Sequence, residues 1–260
     1  MWQIILVITT IALACAPLPG HAQQEDDSFV SETLIRRFNL AAELGREGKS
    51  EESIKVLEEM FAPFEDKNEP VKYSKEFKAE VSFRIAYAYM DMKRYDEAKK
   101  VFEEKELTDL LPELSAERQH SYHFAYGNTL GELGKIDPML EHMKKAVALA
   151  PEDGAKTDAS TCWERMMAML KKAQEWHKLE EICLKAFEFS GKGEKYYVLR
   201  FQAGEYAFFS YVGQKRYDKA RTRGKAILKW YQDLSEDPET REWTSQKIAE
   251  WQQYLKELPE

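Results

Sequence analysis

Five pairs of small or apolar residues, each pair twelve positions apart, restrict what this chain can fold into more than any other feature. They are Ala41 with Ser53, Ala86 with Ala98, Gly127 with Met139, Met167 with Leu179, and Phe208 with Ala220. The spacing within a pair never changes, while successive pairs are offset by 45, 41, 40 and 41 residues. Constant internal spacing belongs to a tight turn of fixed geometry, and variable offsets place the changes of length between the units. Within AYAYMDMKRYDEAKKVFEE, Ala86, Tyr89, Ala98 and Phe102 mark one face and charge fills the other, so the unit reads as two helices and a turn. Four residues beyond each second member come Leu57, Phe102, Met143, Cys183 and Gly224, one turn further along the same face, with Gly224 departing from the apolar pattern. One hairpin cannot bury both of its apolar faces; a continuous core forms when each is covered by the next.

The best copies, GREGKSEESIKVLEEMF, MKRYDEAKKVFEE, ELGKIDPMLEHMKKAVALAP and QKRYDKA, resemble the tetratricopeptide repeat, with Trp163 at the aromatic position that opens the family's first helix. In the third copy Gly134, Ala146 and Pro151 all fall at family positions. The resemblance spans residues 34 to 233 and implies an all-α fold, an α-solenoid of about five such helix hairpins. Family repeats run to about 34 residues, so these are longer, which predicts extended helices or long connections between hairpins.

The N-terminus differs from all that follows. MWQIILVITTIALACAPLPGHAQQ holds no Asp, Glu, Lys or Arg, and its uncharged stretch from Ile4 to Ala14 would rise only ~16 Å as a helix, against a bilayer core of ~30 Å. Pro17 and Pro19 and the small residues Gly20 and Ala22 complete the pattern of a secretory signal peptide at 1–22, cut after Ala22. The alternative is an envelope or outer-membrane assembly lipoprotein anchored at Cys15. Either way the expected location is extracytoplasmic, periplasmic or secreted. Residues 23–30 (QQEDDSFV) read as a polar, acidic, disordered leader, 31–235 as the repeats, and 236–260 as a capping helix. That helix is announced by Asp237 as N-cap and Pro238 at its first position, with Trp243, Ile248, Trp251 and Leu255 on its apolar face. The breaks between copies are too short for interdomain linkers, so one domain is expected, and no later apolar run is long enough to span a membrane.

Little in the chain points to chemistry. SGKGEK at 190–195 lacks the spacing of a phosphate-binding loop. His120 and His123 stand one turn apart, but a zinc site needs further ligands and no HExxH or CxxC supplies them; the pair reads as one surface residue and one packed against the next hairpin. Met166, Met167 and Met169 read as core filler. The abundant acids lie in runs that read as solvated faces, and none sits obviously on an apolar face, where burial would perturb its ionisation. No catalytic residue, metal site or cofactor is expected, and the chain reads as a binding protein rather than an enzyme. Cys162 and Cys183 are rotated apart on their hairpin, which argues against a disulfide and predicts a buried thiol at Cys183.

The partner class follows from charge and from the resemblance. The 46 acids exceed the 38 bases, giving a net charge of −8, the wrong sign for general nucleic-acid binding. The family resemblance implies a protein or peptide ligand held on the side lined by the first helices. The positions that fall there are Phe83, Arg84, Tyr87, Phe124, Asn128, Glu164, Arg165, Glu205, Tyr206 and Phe209. Aromatic residues facing solvent would mark an interface; the competing reading packs the same rings between hairpins.

Overall fold

The computed structural model describes residues 32–60, 75–150, 159–191, 196–237 and 241–260. The expected signal peptide, leader, Cys15 anchor and Pro238 lie outside the described residues. Among those described there are twelve α-helices, one short 3-10 turn and no strand. They fall into two compact units, Met1–Asp158 and Ala159–Glu260.

In the first unit, α1 (Glu32–Arg46) pairs with α2 (Ser50–Glu59), α3 (Lys75–Asp91) with α4 (Tyr95–Phe102), and α6 (Ala116–Glu132) with α7 (Ile136–Leu149). Helix α5 (Lys105–Leu110) and the 3-10 turn Leu111–Glu113 are inserted between the second and third hairpins. In the second unit, α8 (Ala159–Lys172) pairs with α9 (Trp176–Ser190) and α10 (Tyr197–Gly213) with α11 (Tyr217–Leu234), and α12 (Arg241–Glu257) packs on α11. Within each unit a second helix touches its own first helix and the first helix of the following hairpin. The hairpins are therefore covered by their neighbours, as the apolar faces require.

All five twelve-residue pairs are buried at the hairpin crossings. Volume is balanced at two of the crossings. Gly127 faces Met143, whose Cγ would lie 3.1 Å from an added Cβ, whereas Phe208 faces Gly224, with the ring's Cε2 at 3.1 Å from one. Close packing demands this exchange of large for small. Gly224, which breaks the apolar pattern, is thus the position that admits Phe208 and the Leu255 side chain of α12. At the first crossing the Ser53 hydroxyl donates to the Ala41 carbonyl at 2.8 Å, which satisfies a polar group in the core.

The turns explain the constant twelve. Each contains one residue of positive φ, and it lies five positions before the marker of its second helix: Gly48 (77°), Lys93 (58°), Gly134 (72°), Gln174 (57°) and Lys215 (58°). The N–H of the following residue reaches back five positions to the first helix, Lys49 to Leu44, Arg94 to Tyr89, Lys135 to Leu130, Glu175 to Leu170 and Arg216 to Tyr211, at 2.8–3.0 Å. A left-handed residue with such a bond is a standard helix stop. Here it closes one helix and aims the next.

The last helix departs from expectation in one respect. Trp251 is buried and Leu255 reaches Gly224, but Trp243 is 43% exposed, its ring touching Tyr231. Eight residues exceed two helical turns by ~80°, enough to swing Trp243 off the face that Trp251 buries. Tyr254 joins that face instead, its ring 5.6 Å from Phe209.

Candidate functional site

The residues expected to face a partner divide into those the fold consumes and those it leaves accessible. Phe83 is 2% and Phe124 5% exposed, so both rings belong to the core and not to a solvent-facing groove. Phe83 lies beside Tyr122, and Phe124 stacks along His120. Their helices, α3 and α6, each pack against more than one neighbouring helix. Asn128, 7% exposed, is likewise buried. Arg84 is spent internally: its guanidinium lies 4.3 Å over the Phe38 ring and pairs with Glu80 at 3.4 Å, while Glu80 also meets Arg118. Tyr87 is partly exposed, and burial, with Glu80 nearby, pushes its phenol up to about 12.

The second unit keeps more of the expected surface. Glu164 and Arg165 on α8, and Glu205, Tyr206 and Phe209 on α10, are all partly exposed, on two helices that pack together. Lys171 of α8 extends across this face, its ammonium 3.4 Å from the centre of the Phe209 ring and 5.9 Å from that of Tyr206. Burial lowers the Lys171 pKa and raises that of Glu205, whose carboxylate accepts from the Tyr231 hydroxyl at 3.0 Å. Of the sequence-derived set, Arg165, Glu205 and Phe209 share this one face.

Both expected-pair histidines are buried, correcting the expectation that one lies at the surface. His120 is 1% exposed, with Nδ1 2.8 Å from the Ala146 carbonyl. His123 meets His142 of α7, the two Nδ1 atoms 3.0 Å apart, inside a ring of Tyr122 and Tyr126. His142 lies on the next helix, nineteen positions on, so its partnership is invisible to local spacing. No group of three metal-ligating side chains occurs among the described residues. Met166, Met167 and Met169 are core, and Cys162 and Cys183 are buried free thiols.

One feature of the second unit was missed altogether by sequence reasoning: a cleft of about 180 Å³ between α9, α10 and α11. Phe187, Tyr197, Phe201 and Trp230 form its walls, and Arg200 and Arg223 stand at its margin. The signal was present in the 3.6-residue repeat of Tyr197, Arg200, Phe201 and Gly204, which runs along a different face of α10 from Glu205, Tyr206 and Phe209.

This architecture defines a class, an all-α protein of tetratricopeptide-like hairpins. The tetratricopeptide-repeat family model matches residues 79–104 and 120–153, which cover most of the α3–α4 and α6–α7 hairpins. Among solved structures the chain is similar to a Podosopora anserina protein described as a kinesin light chain with nearly identical TPR-like repeats. The identity is 13% and the TM-score 0.57, over 75% of this chain and 93% of that one. A single-substitution variant of that protein gives 13% identity and a TM-score of 0.58, over 79% and 97%. At this identity the likeness is one of fold. No curated protein matches the chain. The tetratricopeptide fold generally mediates protein–protein interaction and typically serves as a non-enzymatic scaffold.

Proposed function

We propose that this chain is an exported scaffold that holds a protein partner on the first-helix face of its repeats. The observation that carries the reading is the α8–α10 face, where Tyr206 and Phe209 remain partly exposed beside Lys171. Tyrosine and phenylalanine give large contact areas at little rotamer cost, and Arg165 and Lys171 beside Glu164 and Glu205 add charges of both signs. No helix among the described residues is long and apolar enough to cross a membrane. Export rests on the signal-like residues 1–22.

The experiment uses the tagged full chain as bait in an envelope extract, with Tyr206→Ala beside it. Tyr206 is not among the fully buried side chains, so truncation is expected to leave the thermal unfolding curve within a degree or two. A central aromatic at an interface contributes upwards of ~2 kcal/mol, roughly thirtyfold in affinity, so the captured partner should be lost. A partner retained by Tyr206→Ala would sink the first-helix reading. The mass of the secreted chain tests export separately: a mature N-terminus at Gln23 supports it, and an intact Met1 opposes it.

A further inference from the structure

Exposed apolar side chains are concentrated in one place on the second unit. Seven large apolar residues are exposed among those described, and four of them, Leu184, Phe187, Tyr197 and Val198, belong to the end of α9 and the start of α10. Phe187 is 43% and Tyr197 48% exposed. Phe187 and Tyr197 both line the cleft, and exposed apolar residues gathered at one site mark an interaction surface more often than scattered single residues do. Beneath the patch the Phe201 and Trp230 rings stack at 3.8 Å, with Tyr197 5.6 Å from Trp230, making a rigid aromatic wall.

The charge at this cleft opposes that of the molecule. The whole chain carries −8, yet the charged residues among those described that line the cleft are two arginines. Arg200 is anchored by donating to the Ser190 carbonyl at 3.0 Å, and both guanidiniums lie within 6 Å of the Phe187 ring. Neither arginine has a carboxylate partner among the described residues. Two guanidiniums held beside aromatic rings, with no carboxylate partner among the described residues, form a ready receptor for carboxylates.

Size decides what enters. Drug-sized ligands need pockets of ~300 Å³ or more. A cleft of about 180 Å³ takes one large side chain, with the rest of the ligand lying across the rim. We infer that the cleft between α9, α10 and α11 binds an acidic segment of a partner protein, which inserts one aromatic or large aliphatic side chain and pairs flanking carboxylates with Arg200 and Arg223. The site uses the second helices α9 and α11 and the opposite side of α10 from Tyr206 and Phe209. It stands whether or not the first-helix face binds a partner.

Gly204 provides a way to close it. Gly204 lines the cleft, and a Cβ built there meets only Arg223 Cδ, at 4.0 Å. Gly204→Leu therefore fills the cleft without forcing the α10 backbone to move.

The test measures binding of the synthetic peptide EDEFEDE to the full chain at low salt by calorimetry, beside the peptides QNQFQNQ and EDEAEDE. The wild-type chain is expected to bind EDEFEDE and to bind each control at least about tenfold more weakly, since a charge-assisted hydrogen bond or a buried ring is each worth that much. Arg200→Gln/Arg223→Gln and Gly204→Leu should each weaken EDEFEDE by a similar factor, while Tyr206→Ala binds it as the wild type does. Added salt should weaken binding to the wild type and leave little effect in the arginine double variant. Absence of binding to the wild type overturns the inference. So does equal binding of QNQFQNQ, unchanged affinity in a folded arginine double variant, or loss of binding in Tyr206→Ala. Circular dichroism confirms which variants are folded; Arg200 is exposed and Arg223 half-buried, and the folded arginine variant decides the matter should Gly204→Leu misfold.

Discussion

The histidine pair joins α6 and α7 by a contact that requires at least one of the two rings to be neutral. With Nδ1 atoms 3.0 Å apart, one ring donates and the other accepts. Burial first, then the charges of His142 and Lys145, hold His123 down to about 4, and burial followed by Lys145 also lowers His142; only Glu141 pulls the other way on both. The folded pKa lies below the unfolded value near 6.5, so the unfolded chain binds more protons between those limits. The stabilisation is complete above pH 6.5 and is lost as pH falls from there towards 4. For His123 it amounts to on the order of 3 kcal/mol at most. Urea unfolding at pH 7 and pH 5 should show the wild type losing more stability than His123→Gln over that interval. Parallel losses would mean that the pair carries no such linkage. Position 123 was legible in the sequence as a helical histidine one turn from His120, but its partner was not, because His142 is brought to it by the turn at Gly134 and not by local spacing. Phe83 and Phe124 failed for a related reason. Helical periodicity says which residues share a face, and only packing says whether another helix covers that face.

At the level of elements, the five turns repeat one backbone conformation with different residues. Two use glycine, where a left-handed φ carries no side-chain clash, and three use Lys or Gln, where it costs roughly 1–2 kcal/mol. Added Cβ atoms at Gly48 and Gly134 meet nothing within 4 Å, so conformation alone sets the cost of substitution there. Gly134→Ala should therefore lower stability by about 1 kcal/mol. Lys93→Gly and Lys215→Gly should be neutral or raise it by up to ~1 kcal/mol, because relief of the clash outweighs the ~0.5–1 kcal/mol of added chain entropy. Chemical denaturation of the three single variants checks the signs, and a clear loss in both Lys→Gly variants would show that their side chains hold the turns in place. The fixed spacing of twelve made these turns legible in advance. Helix α5 was not, because among the described side chains of its short KELTDL run only Leu107 is buried, too little for any periodicity to register. Gly224 misled for another reason: a repeat pattern expects similar residues at equivalent positions, whereas packing conserves summed volume, and Phe208 supplies what Gly224 lacks.

For the molecule as a whole, the proposed export bears on the thiol chemistry of Cys162 and Cys183. Both are buried, and burial pushes the Cys183 thiol up to about 12, which leaves almost no thiolate to react near neutral pH. The chain as isolated should show negligible labelling of either residue while folded, and full labelling of both once unfolded without reductant. Absence of free thiol at these positions in the unfolded, unreduced chain would mean that they bridge. The cleft on the second unit also has an optical consequence. Trp230 forms one wall, stacked on Phe201, and Trp251 is sealed beneath Phe208. An inserted side chain would change the surroundings of Trp230 and leave those of Trp251 as they are. Indole emission thus offers a label-free titration signal for whatever the cleft admits, and Trp230→Phe, which keeps the wall aromatic, identifies the share of that signal that comes from the cleft.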